Sequence, residues 1–319
     1  MKILITGSSG FIGFNLALKL LKKKSINIVG IDNHDNYYSV KLKNKRLNIL
    51  KKYKNFFFKK IDISKRKQLM NFLKNKKFDY IFHFAAQAGV RFSFENPYKY
   101  IETNINGFVN LTDAIKNKPK KFFYASSSSV YGDVKKFPVD EKSILVPRNI
   151  YGMSKVINED LAKFISQKKK INFVGLRFYT VFGPWGRPDM FLMKIFKCIF
   201  KRKTFLLNNK GNHERDFTFI DDITNIMILL MKKNINKHRI FNICSNKPQN
   251  ILKIAEYIKK NLGNYKMNYI QKHSADVLKT HGENKNIKKI TNYKSFKNIY
   301  LAINETFEWY KKNNIYEID

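Results

Sequence analysis

The chain has 319 residues, 44% of them apolar, enough for a large buried core in one large or two modest domains; wholesale disorder is excluded. The net charge is +38, yet only nine of the 62 basic residues are Arg and Lys runs through the whole chain, so the charge reads as a compositional bias on solvated faces rather than a nucleic-acid surface. Two cysteines, Cys198 and Cys244, are too few for a disulfide framework or a metal cluster, and no segment reaches the roughly 18 apolar residues of a membrane span. A cytoplasmic protein is expected, with neither nucleic acid nor membrane as partner.

In chain order, short apolar β-rich runs alternate with amphipathic stretches. Strands are predicted at 2–6, 26–31, 56–61, 79–85, 120–126, 172–178 and 239–244, with helices near 11–23, 65–75, 97–117 and 151–168. This is the pattern of βαβ units and predicts an α/β fold, a Rossmann-like doubly wound parallel sheet. In 97–117, Ile101, Ile105, Phe108, Leu111, Ala114 and Ile115 recur with a period near 3.6. After Gly183-Pro184 helices dominate, near 189–202, 222–233, 250–262 and 299–313. Residues 1–183 are therefore expected as the larger domain, rejoined by strand 239–244, and residues 184–319 mainly as a smaller, mostly helical cap.

Strand 2–6 runs into Gly7-Ser8-Ser9-Gly10-Phe11-Ile12-Gly13 and then a helix. Glycines there permit a tight turn and let the backbone approach a pyrophosphate at the positive end of the helix. Asp32 follows the second strand, nineteen residues after Gly13, where a carboxylate can accept from both hydroxyls of an adenosine ribose and repel a 2′-phosphate. The combination predicts dinucleotide binding, with NAD preferred over NADP.

The spacing G-x-x-G-x-x-G resembles the extended short-chain dehydrogenase/reductases, members of the NAD-dependent epimerase/dehydratase family. The resemblance implies that Gly7, Gly10, Phe11, Ile12, Gly13, Asp32 and Asn33 line the cofactor. It adds Asp62 and Ile63 as adenine contacts, Ala85, Ala86 and Gln87 as a turn along the pyrophosphate and nicotinamide, and Asn104 and Tyr179 as further cofactor-side positions. The larger domain is thus expected to be the NAD-binding one and the cap to hold substrate.

Tyr151-Gly152-Met153-Ser154-Lys155 places Tyr151 and Lys155 one turn apart on one helix face. An ammonium beside a phenol lowers the phenol's pKa, so that a phenolate can act as a base near neutral pH. By resemblance Ser127, in the serine run before Val130-Tyr131-Gly132, completes the catalytic triad, and Tyr151 and Lys155 also contact the cofactor. Related sugar-nucleotide dehydratases and decarboxylases carry an acidic residue just after this Ser. Here Ser128 and Ser129 are neutral, which points to epimerisation through a 4-keto sugar.

Two segments are similar to UDP-glucuronate 4-epimerases: Ala85 to Arg91 followed by Glu95-Asn96-Pro97, and Arg177 to Met190 with its Thr180 and Gly183-Pro184-Trp185-Gly186-Arg187-Pro188-Asp189. The resemblance implies that Arg91, Ser127, Ser128, Ser129, Thr180, Arg187, Arg215 and Asp276 hold a UDP-sugar, with Arg187 and Thr180 on its carboxylate. The forked guanidinium suits that role, because a 4-keto uronate loses CO2 readily unless its carboxylate is held out of line with the ketone. Ala275 stands where the family has Gly, and Thr280-His281-Gly282-Glu283 departs from its pattern. A neutral or N-acetylated UDP-hexose remains an alternative substrate; a non-catalytic NAD-sensing or RNA-binding protein is the alternative of another class. A homodimer joined through helices 97–117 and 151–168 is also expected, as in similar enzymes.

Overall fold

The structure, a computed structural model, describes residues 1–273 and 275–318. Its strands are β1 (Lys2–Thr6), β2 (Asn27–Asp32), β3 (Phe56–Lys60), β4 (Tyr80–His83), β5 (Lys121–Ser127), β6 (Phe173–Phe178), β7 (Thr180–Phe182), β8 (Phe205–Asn208), β9 (Glu214–Phe219), β10 (His238–Ile243), β11 (Pro248–Asn250) and β12 (Met267–Ile270). Seven of them form one parallel sheet in the order β10-β6-β5-β4-β1-β2-β3, and they match the seven predicted runs to within two residues. The fold is the expected Rossmann-like α/β sheet. Strand order reverses between β1 and β4, and in such sheets a crevice opens at that switch point beyond the carboxyl ends of the strands.

Helices cover both faces, which explains why β1 reads as an unbroken apolar run: Ile3, Leu4 and Ile5 are all fully buried. One apolar cluster continues from Ile3 and Phe14 to Phe196, Phe307 and Tyr310 in the C-terminal helices. Those helices therefore pack into the same core as the sheet. Beyond β6 the chain also builds a three-stranded sheet, β11-β9-β7, and a two-stranded one, β12-β8. None of the described helices is long and apolar enough to cross a membrane.

Two features depart from the sequence reading. Helix Val40–Leu50 was not anticipated, because Lys43 and Arg46, polar by type, are buried in it beside Leu42, Leu47 and Leu50. The stretch 97–117 is helical from Pro97 to Ala114 but widens into a π-helical turn at Ile101–Asn106. This changes the facing: Ile101, expected on the packed stripe, is 42% exposed, while Asn104 is turned inward and buried.

Candidate active site

A cleft of about 460 Å³ lies over the carboxyl ends of the parallel strands, between the glycine-rich turn, the serine run and the 275–281 segment. The turn enters it through backbone geometry. Gly7 has φ +70, and a Cβ there would sit 2.7 Å from the Ala85 nitrogen; one on Gly13 would collide with the Gly7 carbonyl oxygen. Helix Phe11–Leu21 starts at Gly10 with no side-chain cap, so its first N–H groups are offered to a ligand. Gly7, Gly10, Phe11, Ile12 and Gly13 line the cleft, as do Asp32, Asn33, Ile63, Ala85, Ala86 and Gln87.

Asp32 already organises this end. It accepts from the Ser9 N–H at 3.0 Å and the His34 N–H at 2.9 Å. Asp62 stands outside the cleft lining, accepting from Asn33 at 3.1 Å and from Ser64. Asn104 also lies outside the lining: its side chain bonds both the N–H and the carbonyl of Gln87, at 2.8 and 3.1 Å, and donates to the Ser154 hydroxyl at 2.9 Å. It braces the Gln87 turn against helix Ile150–Lys169 from its place in the π-helical turn.

Ser127 ends β5, and helix Ile150–Lys169, capped by Asn149, carries Tyr151 and Lys155 into the same cleft. The Ser127 hydroxyl accepts from the Ser129 N–H at 3.1 Å and donates to the Ser129 hydroxyl at 3.2 Å. Burial pushes the Tyr151 phenol up, while the Ser127 hydrogen bond and the Arg187 charge pull it down. Lys155 lies against the ring face, its Nζ 5.8 Å from the Tyr151 centroid. Burial holds Lys155 down to about 8, against the pull of Glu159.

Glu159, one turn beyond Lys155, was missed in the sequence. It is buried, accepts from Ser126 at 2.6 Å and pairs with Arg177 at 2.6 Å; Arg177 in turn donates to Tyr131 at 2.8 Å. The network joins β5, β6 and helix Ile150–Lys169 behind Ser127.

On the facing wall, Thr180, Arg187, Arg215 and Asp276 line the cleft together with Ser128, Ser129 and Tyr179, whose buried hydroxyl has no hydrogen-bond partner among the described residues. Arg187 does not stand free. Asp189 takes its Nε edge, at 2.9 Å from Nε and closer still from Nη2, and Tyr37 donates to Asp189 at 3.1 Å. Two of the five guanidinium N–H donors are thus engaged by Asp189. Burial disfavours the Arg187 charge, but the Asp189 carboxylate outweighs it and raises the pKa. Arg215 donates to the carbonyls of Glu214, Val277 and Leu278 at 2.9, 2.7 and 3.1 Å. Arg91 lies outside the lining and pairs with Asp276 at 2.7 Å. The scarcity of Arg, which singles out Arg187, applies equally to the buried Arg46 and Arg177.

Residues 3–244 match the model of the NAD dependent epimerase/dehydratase family. Over 98% of its length the chain is 39% identical to an uncharacterised protein of Methanocaldococcus jannaschii, 96% of which is covered. It is 35% identical, over 97% of its length and 96% of the relative's, to a UDP-glucuronate 4-epimerase of Thermodesulfobacterium geofontis. Among solved structures, the UDP-glucuronic acid 4-epimerase from Bacillus cereus in complex with UDP-glucuronic acid and NAD superposes with a TM-score of 0.92 at 30% identity, covering 98% of this chain and 100% of that one. With the uncapped glycine turn, Asp32 and the Ser127/Tyr151/Lys155 set in one cleft, these likenesses identify the chain as a member of the NAD dependent epimerase/dehydratase family, with NAD as its cofactor.

Proposed function

We propose that the protein interconverts UDP-glucuronate and UDP-galacturonate through a 4-keto intermediate, supplying an activated uronate for polysaccharide assembly. The reading rests on one observation above all: Arg187, Thr180, Ser128 and Ser129, groups suited to a carboxylate, line the same cleft as Ser127 and Tyr151. The carboxylates among the lining residues are Asp32, Asp35 and Asp276, and none belongs to the segment 127–151 that would serve elimination.

In the proposed reaction Tyr151 accepts the proton of the 4-hydroxyl as C4 is oxidised, and Ser127 shares that hydrogen bond. Lys155, buried against the ring, steadies the phenolate. The glycine-rich turn, Asp32 and Lys155 would hold NAD, which would supply a hydride acceptor and then a hydride donor for C4 and so would not be consumed. Arg187, with Thr180 and the serine hydroxyls, keeps the C5 carboxylate out of line with the ketone while the sugar turns over. Residues 1–183 would then chiefly hold the cofactor and residues 184–319 the nucleotide sugar, with Arg215, Arg91 and Asp276 at the UDP end.

A neutral or N-acetylated UDP-hexose is the second reading, favoured by one fact: Asp189 already engages one edge of Arg187. Incubating the purified protein with UDP-glucuronate and, separately, UDP-glucose, then separating the products, decides between them. Formation of UDP-galacturonate is expected; turnover of UDP-glucose alone would overturn the uronate reading. The proposal includes a homodimer in which helices Pro97–Ala114 and Ile150–Lys169 of two copies form a four-helix interface. Tyr98, Ile101, Val109, Met153 and Phe164 on these helices are 77%, 42%, 42%, 46% and 57% exposed, an apolar face that a second copy would cover. A monomer in sedimentation at micromolar concentration would count against it.

A further inference from the structure

We propose that Arg46 is a positioning residue that ties the glycine-rich turn to the Trp185–Arg187 loop, so that the cofactor half of the cleft sets the fork that receives the substrate. The inference rests on the uronate reading for the identity of that substrate. Arg46 is fully buried, and its acceptors are carbonyls and a hydroxyl. Nη1 donates to the Ser9 carbonyl at 3.0 Å and the Tyr38 hydroxyl at 2.8 Å; Nη2 donates to the carbonyls of Trp185 at 2.6 Å and Gly186 at 3.1 Å. Burying a guanidinium is costly unless its donors are matched; here Nη1 and Nη2 span two loops that are far apart in the sequence, while the buried Nε has no partner among the described residues.

Both loops matter to the site. Ser9 belongs to the glycine-rich turn, and its N–H goes to Asp32 while its carbonyl goes to Arg46. Trp185 has φ +64, a left-handed conformation that a bulky residue seldom adopts, in a turn closed by the Gly186 N–H on the Gly183 carbonyl at 3.1 Å. Such a conformation persists when its surroundings over-determine it. Arg46 holds the Trp185 carbonyl, and the indole is wedged against Phe14 and Trp309 at 5.2 and 5.0 Å between ring centroids. Arg187 follows directly. On its other side, Tyr37 of the same 37–46 segment donates to Asp189, which holds the Arg187 fork. The substrate arginine is therefore bracketed, before and after, by two side chains that come from the cofactor side.

A lysine at position 46 keeps the charge but delivers its donors from one point and cannot span four acceptors. Arg46→Lys and Tyr37→Phe are compared with wild type for NAD affinity, for KM and kcat, and for reduced cofactor left behind when the intermediate escapes. For Arg46→Lys we expect KM for UDP-glucuronate to rise about tenfold or more, NAD affinity to fall about threefold to tenfold, and reduced cofactor to accumulate. For Tyr37→Phe we expect a rise in KM of about threefold with NAD affinity unchanged. Arg46→Lys with a lower Tm but with KM and NAD affinity both within about twofold of wild type would overturn the proposal, as would a loss of NAD affinity with KM unmoved. Should Arg46→Lys not fold, an unchanged KM in Tyr37→Phe overturns it. Failure of the uronate reading shows separately, as wild type that turns over only a neutral UDP-hexose; the same comparison is then made on that sugar.

Discussion

On the sheet side of the cleft the ligand-facing surface is mostly backbone: Gly7, Gly10 and Gly13 clear a space at an uncapped helix end, and Ala85 and Ala86 continue it. On the facing side it is made by side chains tied across the fold: Arg187 to Asp189 and Tyr37, Arg215 to the carbonyls of Val277 and Leu278, and Asp276 to Arg91, which stands behind the lining. A wall of backbone holds its shape through the sheet's own hydrogen bonds, so few single side chains can distort it. A wall of forked side chains depends on each partner, and removing one leaves another unpaired. Losses on the first wall should therefore appear in cofactor affinity, and losses on the second in substrate affinity and in the fate of the intermediate.

The largest effect is expected where the walls meet. Tyr151→Phe removes the proton acceptor and should lower kcat by ~10²–10⁴ while leaving NAD binding nearly intact. Residual activity above about one-tenth of wild type would assign the proton step to another base. On the side-chain wall, Arg187→Ala should cost roughly 2–4 kcal/mol in kcat/KM for UDP-glucuronate, the range for a buried charge-assisted contact. Product analysis should also find a UDP-pentose from decarboxylation, and absorbance a pool of reduced cofactor. Arg187→Lys should recover part of the loss, because charge returns without the fork. An Ala variant that epimerises UDP-glucuronate normally would make Arg187 a loop residue that only pairs with Asp189.

The backbone wall is probed by its one decisive side chain. Asp32 should make NADP bind at least about tenfold more weakly than NAD, since a 2′-phosphate would face a carboxylate. Equal affinities in a titration of the protein would remove that role. A separate effect concerns stability. Lys155 has a folded pKa of about 8, below its ordinary 10.5, so between those values the unfolded chain binds more protons and stability rises with pH. Lys155→Met should flatten this slope by at most about 3 kcal/mol across the window. Denaturation of both proteins at pH 8 and 10.5 measures the difference, and identical slopes would place the Lys155 pKa near its ordinary value.

The central parallel strands were legible because they are buried on both faces, which leaves continuous apolar runs such as Lys2–Thr6 and Phe173–Phe178; the edge strand Phe56–Lys60 is partly exposed and shows only its phenylalanines. The glycine turn, Ser127, Tyr151 and Lys155 were legible for a related reason: their chemistry depends on spacing within one turn or one helix. Helix Val40–Leu50 was not, since Lys43 and Arg46 look like solvated residues until the partners that bury them are known. Glu159 stood one turn from Lys155 in plain view, yet a Glu on a helix is ordinary until Arg177 and Ser126 are found against it. The π-helical turn at Ile101–Asn106 was hidden as well, because a single widened turn barely disturbs a period of 3.6.

The amino-acid sequence by itself determined the parallel sheet, the place of the glycine-rich turn and the choice of Ser127, Tyr151 and Lys155, which share one cleft, all from local patterns of period and spacing. Only the tertiary structure decided which side chains complete the facing wall of the cleft and how they are held. It set Asp189 on Arg187, moved Asn104 behind Gln87 and placed Arg46 between Ser9 and Trp185, 37 and 139 residues away. The physical reason is that a fork of hydrogen-bond donors is satisfied by whatever acceptors folding brings to it. Those acceptors are mostly backbone carbonyls, and every residue carries one.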